Sequence, residues 1–529
     1  MLIARLRSER GLVLALAGAL AVGALLRVLR LAEVPPMLNQ DEAVNGYDAF
    51  SLLQTARDHH GNPTPVGALE TFGDWASPLL TYLTVPAVWL GGLGVGPLRG
   101  TSVLVGVLAI PLMYLLGREL SGRAAVGIAA AVLIALSPWA VHLSRWAIPP
   151  AVVPTVVALM LWLLARALQR GRGPLLVAAG AAAGFGVLAY PVMKVFVPLA
   201  LAVAVVAYLR PALRLGWGAA AAAVGAFALI AGPAYWLSAA DPWSQTRFNL
   251  VSLFRVEPDA GVGRFLEQYL TYFSPSFLFA DGDGDPMHLP IEVGIELWVA
   301  APLLLAGLAR LVLTVVRGSG MQRSAALLVL GAFLAAPVAA AATVPSPHTL
   351  RATPMLVPLV LIEAFGAVAL FDLARSGARL RKLALAGAAV LAVGFAVELA
   401  SRYGEYFGDY RSDVAKEFQY GLDAAILAAS RAEADYDEIW LDEINQPYIY
   451  VLFYRQWNPD EVHRDLQVQR TGGYNVVHAI GKWHFGGPPF DRATFARVGQ
   501  VFAPNGDIAY ELHAGVARDH GRVLVIDRP

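Results

Sequence analysis

Asp41 and Glu42 stand side by side just beyond the first long apolar run, in the segment Asn39-Gln40-Asp41-Glu42-Ala43. Holding two carboxylates at the mouth of a membrane span is costly, because desolvating a charge near lipid is unfavourable. A carboxylate fixed there can accept or orient a proton as a general base. It can equally cap a helix beginning near Ala43, with Asn39 or Asp41 at the N-cap. The two uses are compatible, since a loop-to-helix junction immobilises the side chain. Further along, Asp281, Asp283 and Asp285 alternate as at the start of a calcium loop. The sixth-position glycine and closing glutamate are missing, so an EF-hand is excluded. His59 and His60 are adjacent, which does not suit joint ligation of one metal, and they read as solvated.

The elements that must position these groups are set by composition. The 529 residues are 57% apolar and 15% charged, with mean hydropathy +0.55. Soluble chains carry roughly a quarter charged residues, so this is a polytopic membrane protein. Zero net charge gives no sign of a nucleic-acid partner. The absence of cysteine excludes disulfides, thiolate metal sites and cysteine nucleophiles. Arg5, Arg7 and Arg10 precede an apolar run from Gly11 to Leu26 without a clean cleavage site, which reads as an uncleaved first span.

Runs of roughly 20 apolar residues mark crossings. They fall at 11–30, 99–117, 124–142, 149–168, 174–190, 194–209, 214–238, 293–316, 323–343, 352–374 and 383–400. The stretch 77–94 is broken by Pro78, Pro86, Gly91 and Gly92. Arg118 and Arg123, Arg170 and Arg172, Arg210 and Arg214, Arg317 and Arg323, and the segment 375–382 share the cytoplasmic side only if 77–94 does not cross. About eleven spans follow, with a cytoplasmic N-terminus. The first outer loop is 31–98 and the second 239–292. Ser144-Arg145, Tyr190 to Lys194, and Ser346 to Arg351 then share the outer face with Asp41. The ionisable residues lie at the outer ends of the spans and not at mid-membrane.

Residues 1–402 thus form the membrane part, and 403–529 a small extracytoplasmic α/β domain. A helix is expected over 411–434, where Val414, Phe418, Leu422 and Ile426 recur at helical spacing. Glu438–Leu441, Tyr448 to Tyr454, Tyr474 to Ile480 and Val523 to Ile526 read as strands.

The order of these motifs resembles the bacterial polyprenyl-phosphate-dependent glycosyltransferases of the GT-C type, which include protein mannosyl and aminoarabinose transferases. It rests on Asn39 to Ala43 with Tyr47 and Gly61-Asn62-Pro63, and on Ser137-Pro138-Trp139 with Ser144-Arg145. It continues in Tyr190-Pro191 with Lys194, in Tyr272-Phe273-Ser274-Pro275 leading to His288, and in Pro347-His348-Thr349-Leu350-Arg351. The resemblance covers roughly residues 11 to 400. Trp75-Ala76-Ser77-Pro78 departs from the Lys-Pro-Pro of the aminoarabinose enzymes, which leaves room for another sugar.

The resemblance implies an inverting transferase of the bacterial inner membrane. It would move a sugar from a polyprenyl-phosphate lipid to a glycan, lipid or protein acceptor outside. It makes Asp41 the catalytic residue. Glu42 is second, since neighbours on a helix diverge by ~100°. Arg145, Lys194 and Arg351 would bind the departing phosphate, whose negative charge grows in the transition state, and Tyr190 beside Lys194 would bind substrate. Asp283, His288 and His348 would line the substrate site, where the pattern also leaves room for a divalent metal. Arg145 has an alternative use, snorkelling to head groups. A lipid-linked sugar flippase or other transporter is the rival class, although no inverted repeat is evident.

Overall fold

The computed structural model describes residues 2–290, 293–375, 378–442 and 444–529. Ile291 and Glu292 of the second outer loop, and Ser376 and Gly377 of the basic connection 375–382, lie outside the described residues. Among the described residues, eight helices are long and apolar enough to cross a membrane. These are Gly11–Val28, Val95–Ser121, Pro149–Arg170, Trp217–Ala240, Trp298–Arg317, Gly320–Ala341, Thr353–Ala374 and Leu385–Phe407. Ala124–Leu136 and Pro138–Arg145 are long and apolar enough only when taken together, and are bent by 58° at the break between them. Ser137 caps the second half by accepting from Ala140 N at 3.3 Å, and Pro138 occupies its first turn, where the missing N–H costs nothing.

Two helices of 15 residues, Gly173–Val187 and Met193–Ala207, fall where two further crossings are expected. The broken stretch forms the helix Leu79–Gly91, whose 13 residues extend only about 20 Å. That is short of a ~30 Å hydrocarbon core.

Small residues let the helices approach. A Cβ on Gly307 would lie 1.8 Å from Ile362 O, so only glycine allows Ala301–Arg317 to pack on Leu356–Ala374. One carboxylate breaks the expected polarity pattern: Glu363 sits midway along Thr353–Ala374 and is 1% exposed. A lone glutamate in a long apolar run is visible in sequence and marks a polar position inside the membrane part.

The C-terminal part is built on a six-stranded mixed sheet. Its order is Ala479–Ile480, Trp483–Phe485, Glu438–Leu441, Gly521–Asp527, Ile508–Ala517, Ala496–Phe502. Two expectations change here. Pro447–Arg455 is a helix and not a strand, with Pro447 at its first turn and Tyr448 to Phe453 all buried. A continuous buried run has no periodicity to separate the two choices. The helix expected over 411–434 is interrupted: Tyr410–Asp413 and Leu422–Arg431 flank a turn in which Gly421 adopts φ 85°. The helix Ala378–Phe407 runs straight through position 402. One apolar core joins this domain to the loop 31–98, where Val44 and Tyr47 pack with Tyr448, Leu452 and Phe453.

Candidate active site

Asp41 lies in the first turn of the helix Gln40–Thr55. Asn39 starts that helix: its side chain accepts from Glu42 N at 2.9 Å, while Glu42 accepts from Asn39 N at 3.4 Å. This reciprocal capping box satisfies two of the helix's orphan N–H groups. Its N-terminal partial charge also favours the Asp41 carboxylate.

Glu42, the second candidate base, is held in an ion pair. It is fully buried and forms a bidentate pair with Arg99, at 2.9 and 3.1 Å. It also accepts from Ala147 N at 3.1 Å. Arg99 donates further to Pro35 O at 2.7 Å and Met37 O at 2.6 Å, stitching the entry of the loop to its helix. With its charge and lone pairs so engaged, Glu42 is part of the frame that holds Asp41.

Arg145, expected at a phosphate, is buried in the same frame. It donates to the carbonyls of Leu26, Arg27, Arg30 and Val34 at 2.7–3.2 Å. Its guanidinium also lies over Tyr406 and Phe407. The main chain leaving the first span is thereby tied to the bend at Pro138.

The helix Gln40–Thr55 docks against the C-terminal domain. Tyr47 donates its hydroxyl to Trp457 O at 2.7 Å. A Cβ on Gly46 would meet Phe453 at 2.6 Å, so glycine permits the contact. Tyr450 lies below: burial raises its hydroxyl pKa, with smaller contributions from neighbouring groups that include the Asp41 and Glu42 charges. The domain therefore reaches the neighbourhood of the candidate base.

His59 is not solvated. It is buried, with Nδ1 2.7 Å from Asp48 Oδ1 and Nε2 3.2 Å from the Tyr448 hydroxyl. Burial pushes Asp48 up to about 7 and His59 down to about 4. This network seals the loop against the domain.

A second group forms where the loop 239–292 returns. Asp283 accepts from His288 Nδ1 at 2.6 Å and from Thr349 N at 2.7 Å. His348 Nδ1 lies 3.9 Å away, and the two imidazoles stack at 4.6 Å. Burial pushes Asp283 up, but the His288 hydrogen bond and charge, the Thr349 N–H and His348 together hold it below its ordinary value. Ligand atoms of Asp283, His288 and His348 lie within 4.8 Å of one another. Two imidazoles and a carboxylate suit a divalent transition metal. The group adjoins the bend, since His142 Nε2 lies 2.8 Å from Met287 O and Trp146 faces His288.

The remaining cations sit apart. Arg351 donates to Thr343 Oγ1 at 2.8 Å and Val344 O at 3.1 Å. Lys194 donates to Ser238 Oγ at 2.7 Å, with Tyr190 half-buried in the turn before it. Nearby, Trp75 donates to Asp241 at 2.8 Å. Arg99, Glu363, Asp48 and Tyr450 were not anticipated. Arg99 opens the apolar run 99–117, and its partner Glu42 lies 57 residues away, beyond the reach of local pattern.

A bent helix pair, the helix Gln40–Thr55 clamped by a buried ion pair, and a C-terminal domain seated on it can be compared with known folds. The chain matches ArnT from Cupriavidus metallidurans in its apo state with TM-score 0.52 at 16% identity, over 85% of each chain. The chain has the fold of the GT-C membrane glycosyltransferases. The undecaprenyl-phosphate-bound form of that ArnT matches with TM-score 0.50 over 84% of each chain. An apo oligosaccharyltransferase from Archaeoglobus fulgidus matches with TM-score 0.52 at 13% identity, over 84% of this chain and 63% of the longer archaeal one. The family model for dolichyl-phosphate-mannose-protein mannosyltransferases matches residues 76–236. No curated protein matches.

Proposed function

We propose that the protein is an inverting membrane glycosyltransferase that moves a sugar from a polyprenyl-phosphate carrier to an acceptor outside the cytoplasmic membrane. The observation that carries this reading is Asp41, placed on a capped and clamped helix start within a GT-C fold whose ArnT relative binds undecaprenyl phosphate. Asp41 would take or orient the acceptor's proton as the sugar–phosphate bond breaks. Lys194 and Arg351 are the cations left to meet the departing phosphate. Glu42 and Arg145 hold the scaffold. Asp283, His288 and His348 would line the substrate side, and could hold a divalent ion there.

The test is purified protein in lipid, given radiolabelled polyprenyl-phosphate sugars, with release of polyprenyl phosphate followed over time. Asp41→Asn is expected to slow release by about 10²–10⁴-fold. Release at the parental rate would remove Asp41 from the mechanism. Lipid-linked sugar crossing the bilayer without donor consumption would instead make the protein a transporter. Because the chain has no cysteine, single introduced cysteines at the two helix ends report which face is outside.

A further inference from the structure

We propose that the protein holds an anionic phospholipid by its phosphate, in a cleft at the helix ends remote from the C-terminal domain. The cleft, of about 590 Å³, lies where Val95–Ser121 turns into Ala124–Leu136 against the ends of Ala301–Arg317, Gly320–Ala335 and Leu356–Ala374. Its wall is apolar, with Leu311, Phe365 and Val368. Its rim carries Arg123, Arg310 and Gln322.

The charges on that rim do not cancel. Arg123 is committed to Asp372, with one contact of 2.9 Å. Arg310 lies within electrostatic range of the same carboxylate but donates no side-chain hydrogen bond among the described residues. Gln322 likewise has donors without a partner among them. One guanidinium and one amide are thus available to phosphate oxygens, and Arg375 adds positive charge nearby.

The surface beside the cleft identifies the rest of the ligand. Val312, Val316, Phe371 and Leu373 are all exposed there, on helices apolar enough to cross a membrane. A soluble anion would leave that surface bare, whereas acyl chains would cover it. Basic pockets between spanning helices are where anionic head groups bind. The inference is independent of the transferase reading, because neither Asp41 nor its frame contributes.

Native mass spectrometry of the full chain, extracted from bilayers of equal phosphatidylglycerol and phosphatidylcholine, tests it. The parent and Asp41→Asn should retain phosphatidylglycerol in preference. Arg310→Gln should weaken that retention roughly fivefold, with its unfolding midpoint unchanged. Gln322→Leu serves as a second, uncharged probe and should weaken retention to a smaller extent. Equal retention of both lipids by the parent, or undiminished retention by both variants, overturns the proposal. Displacement by glycerol phosphate alone would overturn the lipid assignment in favour of a free phosphate site.

Discussion

Two arginine–carboxylate pairs of the same bidentate chemistry sit at opposite ends of the bundle. Arg99–Glu42 is fully buried beside Asp41, whereas Arg123–Asp372 is nearly half exposed at the far end. Burial changes what the pair does. In the interior, loss of one partner strands a desolvated charge, so the pair fixes geometry whatever it adds to net stability. At the rim, water and head groups replace either partner, so the pair fixes little and leaves its arginine exchangeable. One end of the molecule is thus organised by hydrogen-bonded charges, and the other only carries them.

The largest effect should come from breaking the buried pair. Glu42→Gln leaves Arg99 uncompensated and is expected to cost about 3–5 kcal/mol. The readout is a fall in thermal midpoint and in monodisperse yield. Donor consumption should fall with it, because the start of the helix loses its anchor. Asp41→Asn sharpens the contrast within two adjacent residues. It should lose activity by about 10²–10⁴-fold while the unfolding midpoint stays close to parental. If Asp41→Asn unfolded as readily as Glu42→Gln, the division between base and frame would fail.

A smaller effect separates the interior by pH. Asp48, pushed up to about 7, keeps its proton in the folded chain where an unfolded aspartate has lost it. Its contribution is full below about pH 4 and is lost as pH rises through 7. His59 and His60, both pushed down to about 4, act the other way: their contribution is present above 6.5 and lost as pH falls. The facing charges include Asp58 and Glu70 around the imidazoles and His463 beside Asp48. Asp48→Asn removes one side of this balance. The variant should lose stability relative to the parent as pH falls from 7 to 4, on the order of 2 kcal/mol. Denaturant titrations at several pH values measure it, and a parallel pH dependence would refute it.

Where side-chain burial decides a role, the sequence was a partial guide. Apolar runs and basic connectors mark the membrane class and the stretch that folds as the short helix Leu79–Gly91, because these follow from backbone satisfaction and charge cost, whereas the 58° bend at Pro138 interrupts a stretch expected as one span over 124–142. Asp41 could be singled out because a capped helix start has a local signature. Glu42 and Arg145 could not be assigned, since their partners, Arg99 and the carbonyls of 26–34, are set by tertiary contact. His59 looked solvated for the same reason: Asp48 is local, but Tyr448 lies 389 residues away. The Pro447–Arg455 helix failed as a strand because full burial erases the period that tells the two apart.

The smallest effect belongs to the exposed pair. Asp372→Asn breaks Arg123–Asp372, yet both groups already meet solvent, and such pairs contribute about 0–1 kcal/mol. The thermal midpoint should move little, and less in high salt, because screening acts on exposed charges. The substitution also removes the one carboxylate on the cleft rim and releases Arg123. Retention of phosphatidylglycerol should therefore rise in Asp372→Asn, opposite to its fall in Arg310→Gln. A midpoint loss as large as that of Glu42→Gln would mean that the rim is as rigid as the interior. The contrast between the two ends would then collapse.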